Sequence, residues 1–318
     1  MLTVDLMRAG WRVVVVVGLL AALAGCTDAP TAAPAPPAVA SGPVASAPPV
    51  PTDTVGPHGP VVPSDPVALA AVLAAARDTV ADPARSPDAV AAAGRTAQVA
   101  YEELAFHPDL LAPVLAALPP GHAAATDRIV GAGRDLLAMN TRPLGEDLPA
   151  WRVVDPLPPE QLRAFYAEAQ DRFGVPWHVL AAVNLVESRM GRIAAASGAG
   201  AQGPMQFMPS TWARYGLGGD VHDPHDAILG AAHYLQSNGG DTDAGLDRAL
   251  HRYNNDDRYV RAVRAYAWLM QADERAYLGF HAWVVYARTA GEGRVHLPTG
   301  YDEPRPVRAA DYLAGAPR

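Results

Sequence analysis

The chain has 318 residues, half of them hydrophobic, and its 33 acidic residues outnumber 25 basic ones for a formal charge of −8. That balance argues against nonspecific nucleic-acid binding, which depends on neutralising phosphates. All 25 basic residues are arginine, which excludes Schiff-base lysines and Ser-Lys dyads, and the chain has neither a Gly-x-x-x-x-Gly-Lys phosphate loop nor a Gly-x-Ser-x-Gly elbow.

At the N-terminus, Arg8 and Arg12 flank the start of an apolar run from Val13 to Ala24. The run is too short for a membrane span of about 20 residues but suits the core of an export signal. Leu23-Ala24-Gly25-Cys26 has the form of a lipobox, so residues 1–26 read as a signal peptide whose Cys26 becomes lipidated and anchors the protein in the membrane. Cys26 is the single cysteine, which rules out a disulfide within the chain, and lipidation would remove an otherwise free thiol from an oxidising compartment. Ordinary signal-peptidase cleavage nearby is the alternative. Residues 27–65 are almost wholly Ala, Pro, Val, Ser, Gly and Thr and cannot bury a core. They read as a disordered tether, which at about 3.1 Å per residue reaches on the order of 100 Å. Without lipidation the same segment is simply a disordered N-terminus.

Residues 66–150 are Ala-rich with helical spacing. Asp65-Pro66 opens one helix, Ser86-Pro87 opens a second running to about Phe106, and shorter helices are expected from about Pro108 and Ala123. The cluster Glu102, Glu103 and His107 reads as a solvated helix face.

In residues 151–275 the most informative side chain is Glu187. Leu180, Val183, Glu187 and Met190 are spaced by three, four and three, so on a helix they share an otherwise apolar face. Burying a carboxyl there disfavours its charged form and raises its pKa, as a general acid working near neutral pH requires. In the alternative, the face rotates and Glu187 meets solvent beside Arg189 or Arg192. Gly198, Gly200 and Gly203 follow in a loop that permits positive φ and close backbone approach, although glycines also mark ordinary surface loops. Asp223 is placed to cap a helix with Pro224 at its first position, Asp226 at its third and Gly239 as its stop. Capping thereby accounts for the aspartates of the His222, Asp223, His225, Asp226 and His233 group, and no metal site is assigned. Leu246, Ala249, Leu250 and Tyr253 share one helix face, so Tyr253 is either core or part of a site. Beyond residue 275, Trp283 to Tyr286 and Val295 to Leu297 flank Gly291-Glu292-Gly293 as a β-hairpin, either walling a groove or covering the end of the core.

The run from Ser197 to Trp212 resembles the core motif of family-1-type lytic transglycosylases, lysozyme-like enzymes that cleave peptidoglycan. The matching residues are Glu187-Ser188, Ser197, Gly203, Met205-Gln206, Pro209 and Thr211, then Tyr253-Asn254, then Tyr259-Val260, Val263 and Tyr266. They cover roughly residues 160–270, and Asp-Pro-His-Asp-Ala-Ile-Leu at 223–229 is similar to secreted actinobacterial members. Three departures stand out: Asn255-Asp256 in place of Ala-Gly, Asn255 in place of a Glu often found four residues before the Tyr-Val pair, and Pro204 in place of Leu.

The resemblance implies a mainly α fold: a lysozyme-like helical catalytic domain at 151–275, a preceding α-helical region, and a small C-terminal hairpin and tail at 276–318. It implies Glu187 as sole acid and then base, with substrate contacts from Ser188, Ser197, Met205, Gln206, Tyr253, Asn254 and Tyr266, and neither cofactor nor metal. Most glycoside hydrolases need two carboxylates, about 5–5.5 Å apart if retaining and about 6.5–9.5 Å if inverting. Asp171 lies sixteen residues before Glu187, and Asp220, Asp223 and Asp226 occupy a turn, so none is an obvious second. One carboxyl suffices when the muramoyl 6-hydroxyl serves as nucleophile and gives a 1,6-anhydro product. The implied partners are peptidoglycan strands and a lipid anchor, with cell-wall synthesis or division proteins as further candidates. The rival readings are a hydrolytic muramidase and a non-catalytic glycan-binding lipoprotein.

Overall fold

The computed structural model describes residues 55–315; the predicted export signal, Cys26 and most of the predicted tether lie outside the described residues. The fold is mainly helical, with two small antiparallel sheets among the described residues. It opens with α1 (Pro66–Ala81), α2 (Pro87–Phe106), α3 (Pro108–Ala117) and α4 (Pro120–Met139). Each begins on a proline, whose missing N–H costs nothing in a first turn. Asp65 caps α1 by accepting from the Ala68 N–H at 2.8 Å, and Ser86 caps α2 through Ala89. The fourth helix is twenty residues long and starts at Pro120, earlier and longer than the sequence predicts. Pro119 takes the extended cap conformation and Pro120 the first helical position, so a Pro-Pro-Gly stretch that resembles a turn is a helix start.

The chain continues as α5 (Pro159–Phe173), α6 (Trp177–Ser188), α7 (Pro209–Tyr215), α8 (Pro224–Ser237), α9 (Asp243–Tyr253), α10 (Asp257–Ala272) and α11 (Ala276–His281). Helix α8 has the caps read from sequence: Asp223 accepts from the Asp226 N–H at 3.0 Å, and Gly239 turns the chain at φ 88°. Helix α6 is the centre of the molecule, with every residue from His178 to Ser188 buried. A helix enclosed on all sides must be apolar all round, and the exceptions, His178, Asn184, Glu187 and Ser188, are the candidates for function. The question of which face of α6 meets water therefore does not arise, and Met190 lies beyond the helix end.

The N-terminal helices are built into this core. Leu104, Ile129 and Val130 share one apolar cluster with Tyr266, Met270 and Trp283. Helix α2 passes so close to α11 that a Cβ placed on Gly94 would lie 2.5 Å from the Gly279 carbonyl oxygen.

The hairpin pairs β2 (Val285–Thr289) with β3 (Gly293–Leu297), in register from Val285 opposite Leu297 to Thr289 opposite Gly293. Trp283 and Val284 stand before the strand rather than in it. One face, Val285, Ala287, Val295 and Leu297, joins Leu148, Val153, Ile193 and Tyr301 in a second cluster. Strand β1 (Asp147–Leu148) pairs with β4 (Val307–Arg308), ahead of a short α12 (Ala309–Leu313), so the C-terminal segment is integral to the fold.

The register sets Arg288 opposite Arg294, a repulsive arrangement on its own. Glu103 resolves it, meeting Arg288 at 3.2 Å and Arg294 at 2.7 Å, while Glu102 lies 3.7 Å from Arg294. The reading of Glu102, Glu103 and His107 as a solvated face is thus corrected: the two carboxylates join α2 to the hairpin, their side chains only 23% and 26% exposed, and His107 lies 3.4 Å from Glu103. The end of the predicted tether is held too. His58 Nδ1 donates to the Arg294 carbonyl at 2.7 Å, Arg294 Nε donates to the His58 carbonyl, and the His296 N–H donates to the Pro57 carbonyl at 2.8 Å.

Candidate active site

Helix α6 stops abruptly. Arg189, Met190 and Gly191 take φ of 56°, 60° and 86°, three successive left-handed residues of which two bear side chains. Such conformations cost of order 1–3 kcal/mol per non-glycine residue and persist only where the surroundings hold them. Here the holder is Ser188, whose hydroxyl donates to the Pro204 carbonyl at 2.5 Å and accepts from the Gly191 N–H at 2.9 Å. Asn184, one turn earlier, donates to the same carbonyl at 2.9 Å and accepts from the Tyr166 hydroxyl at 2.6 Å. The substitution Pro204 keeps the carbonyl both side chains use and gives up only an N–H. Sequence reasoning passed over Asn184; a polar residue four before Ser188 in an apolar helix is the signal that could have found it.

The Gly-rich loop closes with Gln202 bridged to Phe207 and turns through Gly203 at φ 72° and Gln206 at φ 50°. A Cβ on Gly203 would sit 1.8 Å from the Val221 carbonyl oxygen, so no other residue fits there without moving backbone. Ser197 spends its hydroxyl inside the loop, accepting from the N–H groups of Ala199 and Ala201 at 3.3 and 3.0 Å. Gln206 donates to the carbonyls of Ala195 and Gly203, while its buried Oε1 has no partner among the described residues.

Across the loop, buried Met205 offers its carbonyl to the Tyr253 hydroxyl at 2.7 Å. The Tyr253 ring stacks on Tyr259 with centroids 6.4 Å apart and planes within 4°. Tyr259 donates to Glu187 Oε1 at 2.7 Å. The structure thus brings Ser188, Met205, Gln206 and Tyr253 together around the end of α6, and Tyr259, not named as a site residue from sequence, is the direct partner of the carboxyl. Asn254 is buried at the end of α9, where its N–H closes on the Leu250 carbonyl. Tyr266 sits elsewhere, edge-on to Phe280 and Trp283 at 5.4 and 5.8 Å. The departure Asp256 is the cap of α10, accepting from the Arg258 N–H at 2.9 Å.

Glu187 is 2% exposed. Burial pushes its pKa up to about 8, opposed only by the Tyr259 hydrogen bond. Neither Arg189 nor Arg192 neutralises it: the Arg189 guanidinium lies over the Trp283 ring at 5.4 Å. The Tyr253 and Tyr259 hydroxyls are held well above their ordinary range, chiefly by burial, and so remain neutral donors. The site therefore presents a carboxylic acid that keeps its proton at pH 7 and can give it to a base or leaving group placed beside it. Of the groups that could suggest a metal, Asp223, His225 and Asp226 converge, but each has a structural role. Asp223 caps α8, Asp226 accepts from the Asp220 N–H at 2.9 Å, and His225 pairs with Glu168 at 2.9 Å.

Residues 165–275 match the family model for the transglycosylase SLT domain. No solved structure matches the chain. The segment from α5 to α10, which holds Glu187, Tyr253 and Tyr259, is thus a lysozyme-like domain of the lytic transglycosylase family, of the enzyme type that acts on peptidoglycan.

Proposed function

We propose that Glu187 is the sole acid and base of a reaction that cuts the β-1,4 bond between N-acetylmuramic acid and N-acetylglucosamine. Its proton passes to the glycosidic oxygen as the bond to the anomeric carbon breaks. The 6-hydroxyl of the same muramoyl residue then attacks that carbon, and its proton returns to Glu187. The products are a free 4-hydroxyl on the leaving sugar and a 1,6-anhydro ring on the muramoyl end, with no water consumed. The observation that carries this reading is the buried carboxyl with a pKa near 8, whose one hydrogen-bond partner among the described residues is a neutral tyrosine hydroxyl. Such a group is protonated often enough to act as acid and, once ionised, basic enough to recover a proton at neutral pH. Mass spectrometry of digested peptidoglycan tests it. Muropeptides ending in anhydro-muramic acid, one water lighter than hydrolytic products, support the assignment; reducing ends alone would make the protein a muramidase.

The enzyme is further proposed to work outside the cytoplasm as a lipoprotein anchored through Cys26. Cys26→Ser should shift the protein from the membrane fraction to the soluble fraction, and an unchanged distribution removes the lipid anchor from the proposal.

A further inference from the structure

Beside the active site lies a narrow chamber of about 70 Å³, partly open to solvent, where α2, α4 and α10 meet the hairpin and the corner after α6. Tyr101, Tyr266 and Trp283 form aromatic walls and Ile129 and Leu136 an aliphatic one. Its position relative to Glu187 follows from α10. Tyr259 bonds Glu187 and Tyr266 lines the chamber, and seven residues at 1.5 Å rise on one helix face place the two on the order of 10 Å apart.

The chamber's charges are unequally satisfied. Arg288 and Arg294 close on Glu103. Arg189, half-buried in the strained corner two residues past Glu187, lies over the Trp283 ring; its charge acts on Glu102, but among the described residues no carboxylate comes within ion-pair distance of its guanidinium. Glu102, the remaining acid in the wall, is itself pushed toward its neutral form by burial, with Arg189 acting against that. Three guanidinium groups face two carboxylates, and a planar, forked donor flanked by apolar surface is left over to receive an anion.

We infer that this chamber holds a carboxylate of the peptide branch carried by the muramoyl sugar, with Arg189 as its bidentate donor. The inference rests on the proposed reaction at Glu187, because the sugar rings of such a strand are neutral and only the branch carries carboxylates. Two or three extended residues span about 7–10 Å, the interval between Glu187 and the chamber. The branch would then be read jointly: Arg189 and Tyr266 belong to the SLT domain, whereas the rest of the wall comes from α2, α4 and the hairpin outside it.

The test is calorimetric binding of N-acetylmuramoyl-Ala-Glu to the full protein, which needs no turnover and so stands or falls separately from the product assignment. The same molecule with both carboxyls amidated should bind about ten-fold or more weakly, as loss of a charged hydrogen bond requires. Arg189→Gln should weaken binding of the carboxylate form to a similar degree and abolish the preference over the amide, while Arg189→Lys should recover part of it. Equal affinity for the two ligand forms, no binding of either, or an Arg189→Gln protein that keeps the preference would overturn the inference.

Discussion

Glu187→Gln should slow release of muropeptides by at least about 10²-fold while leaving the fold intact. The amide keeps the shape and can still accept from Tyr259, but it has no transferable proton. The same substitution should stabilise the protein in alkaline solution. The folded-state pKa of Glu187 lies near 8 and the ordinary value near 4.5, so the native state favours the protonated carboxyl. Stability from this group is complete below pH 4.5, declines as pH rises toward 8, and is lost above it. The amide carries no such penalty. Its melting temperature should therefore match the parent near pH 4 and exceed it above pH 8 by several degrees, at about 2–4 °C per kcal/mol for a chain of this size. The rate should follow the same group, falling as pH rises through about 8. A variant that digests peptidoglycan at the parental rate would leave the reaction without its acid.

Gly203→Ala should be among the most damaging single-methyl changes in the chain. At φ 72° any side chain is strained, and here the new Cβ meets the Val221 carbonyl oxygen at 1.8 Å, a backbone atom that cannot swing aside. Left-handed strain of about 1–2 kcal/mol and overpacking of about 1–3 kcal/mol act together. The melting temperature should drop by roughly 5–15 °C. Activity should drop as well, because Pro204 and Met205, which follow directly, are the points where Ser188 and Tyr253 fasten the loop to the helices. Gly200→Ala provides the contrast: its φ is 88°, but nothing lies within 4 Å of the new methyl, so only the conformational cost of about 1–2 kcal/mol remains. Equal melting temperatures for the two variants would show that the Val221 contact is not the constraint.

What could be read from the sequence divides by the range of the interactions involved. Helices α1, α2 and α8 are marked by caps and first-turn prolines within a few residues of their ends, and the structure has them where those signals lie. Helix α4 starts at Pro120 rather than at about Ala123, because Pro119 and Pro120 supply its cap and first position without a side-chain cap to mark them. The burial of Glu187 was correctly expected, but for an incomplete reason. The periodic face captures one side of α6, whereas the helix is enclosed on all sides by elements the local pattern does not contain. Glu103 shows the limit most clearly. Its arginine partners lie 185 and 191 residues away in sequence, so a window over residues 98–107 holds Glu102, Glu103 and His107 but neither arginine. Tyr259 was visible as one member of a motif, yet its hydrogen bond to Glu187 spans 72 residues and depends on how α10 crosses α6.

The fastening of Pro57 and His58 to the third strand has a mechanical consequence. Tension on the segment before residue 57 enters the fold at those hydrogen bonds, pulling on His296 and Arg294, and passes through Glu103 into α2. A second route runs through Val295 and Leu297, which share a cluster with Ile193, whose N–H donates to the Ser188 carbonyl at the end of α6.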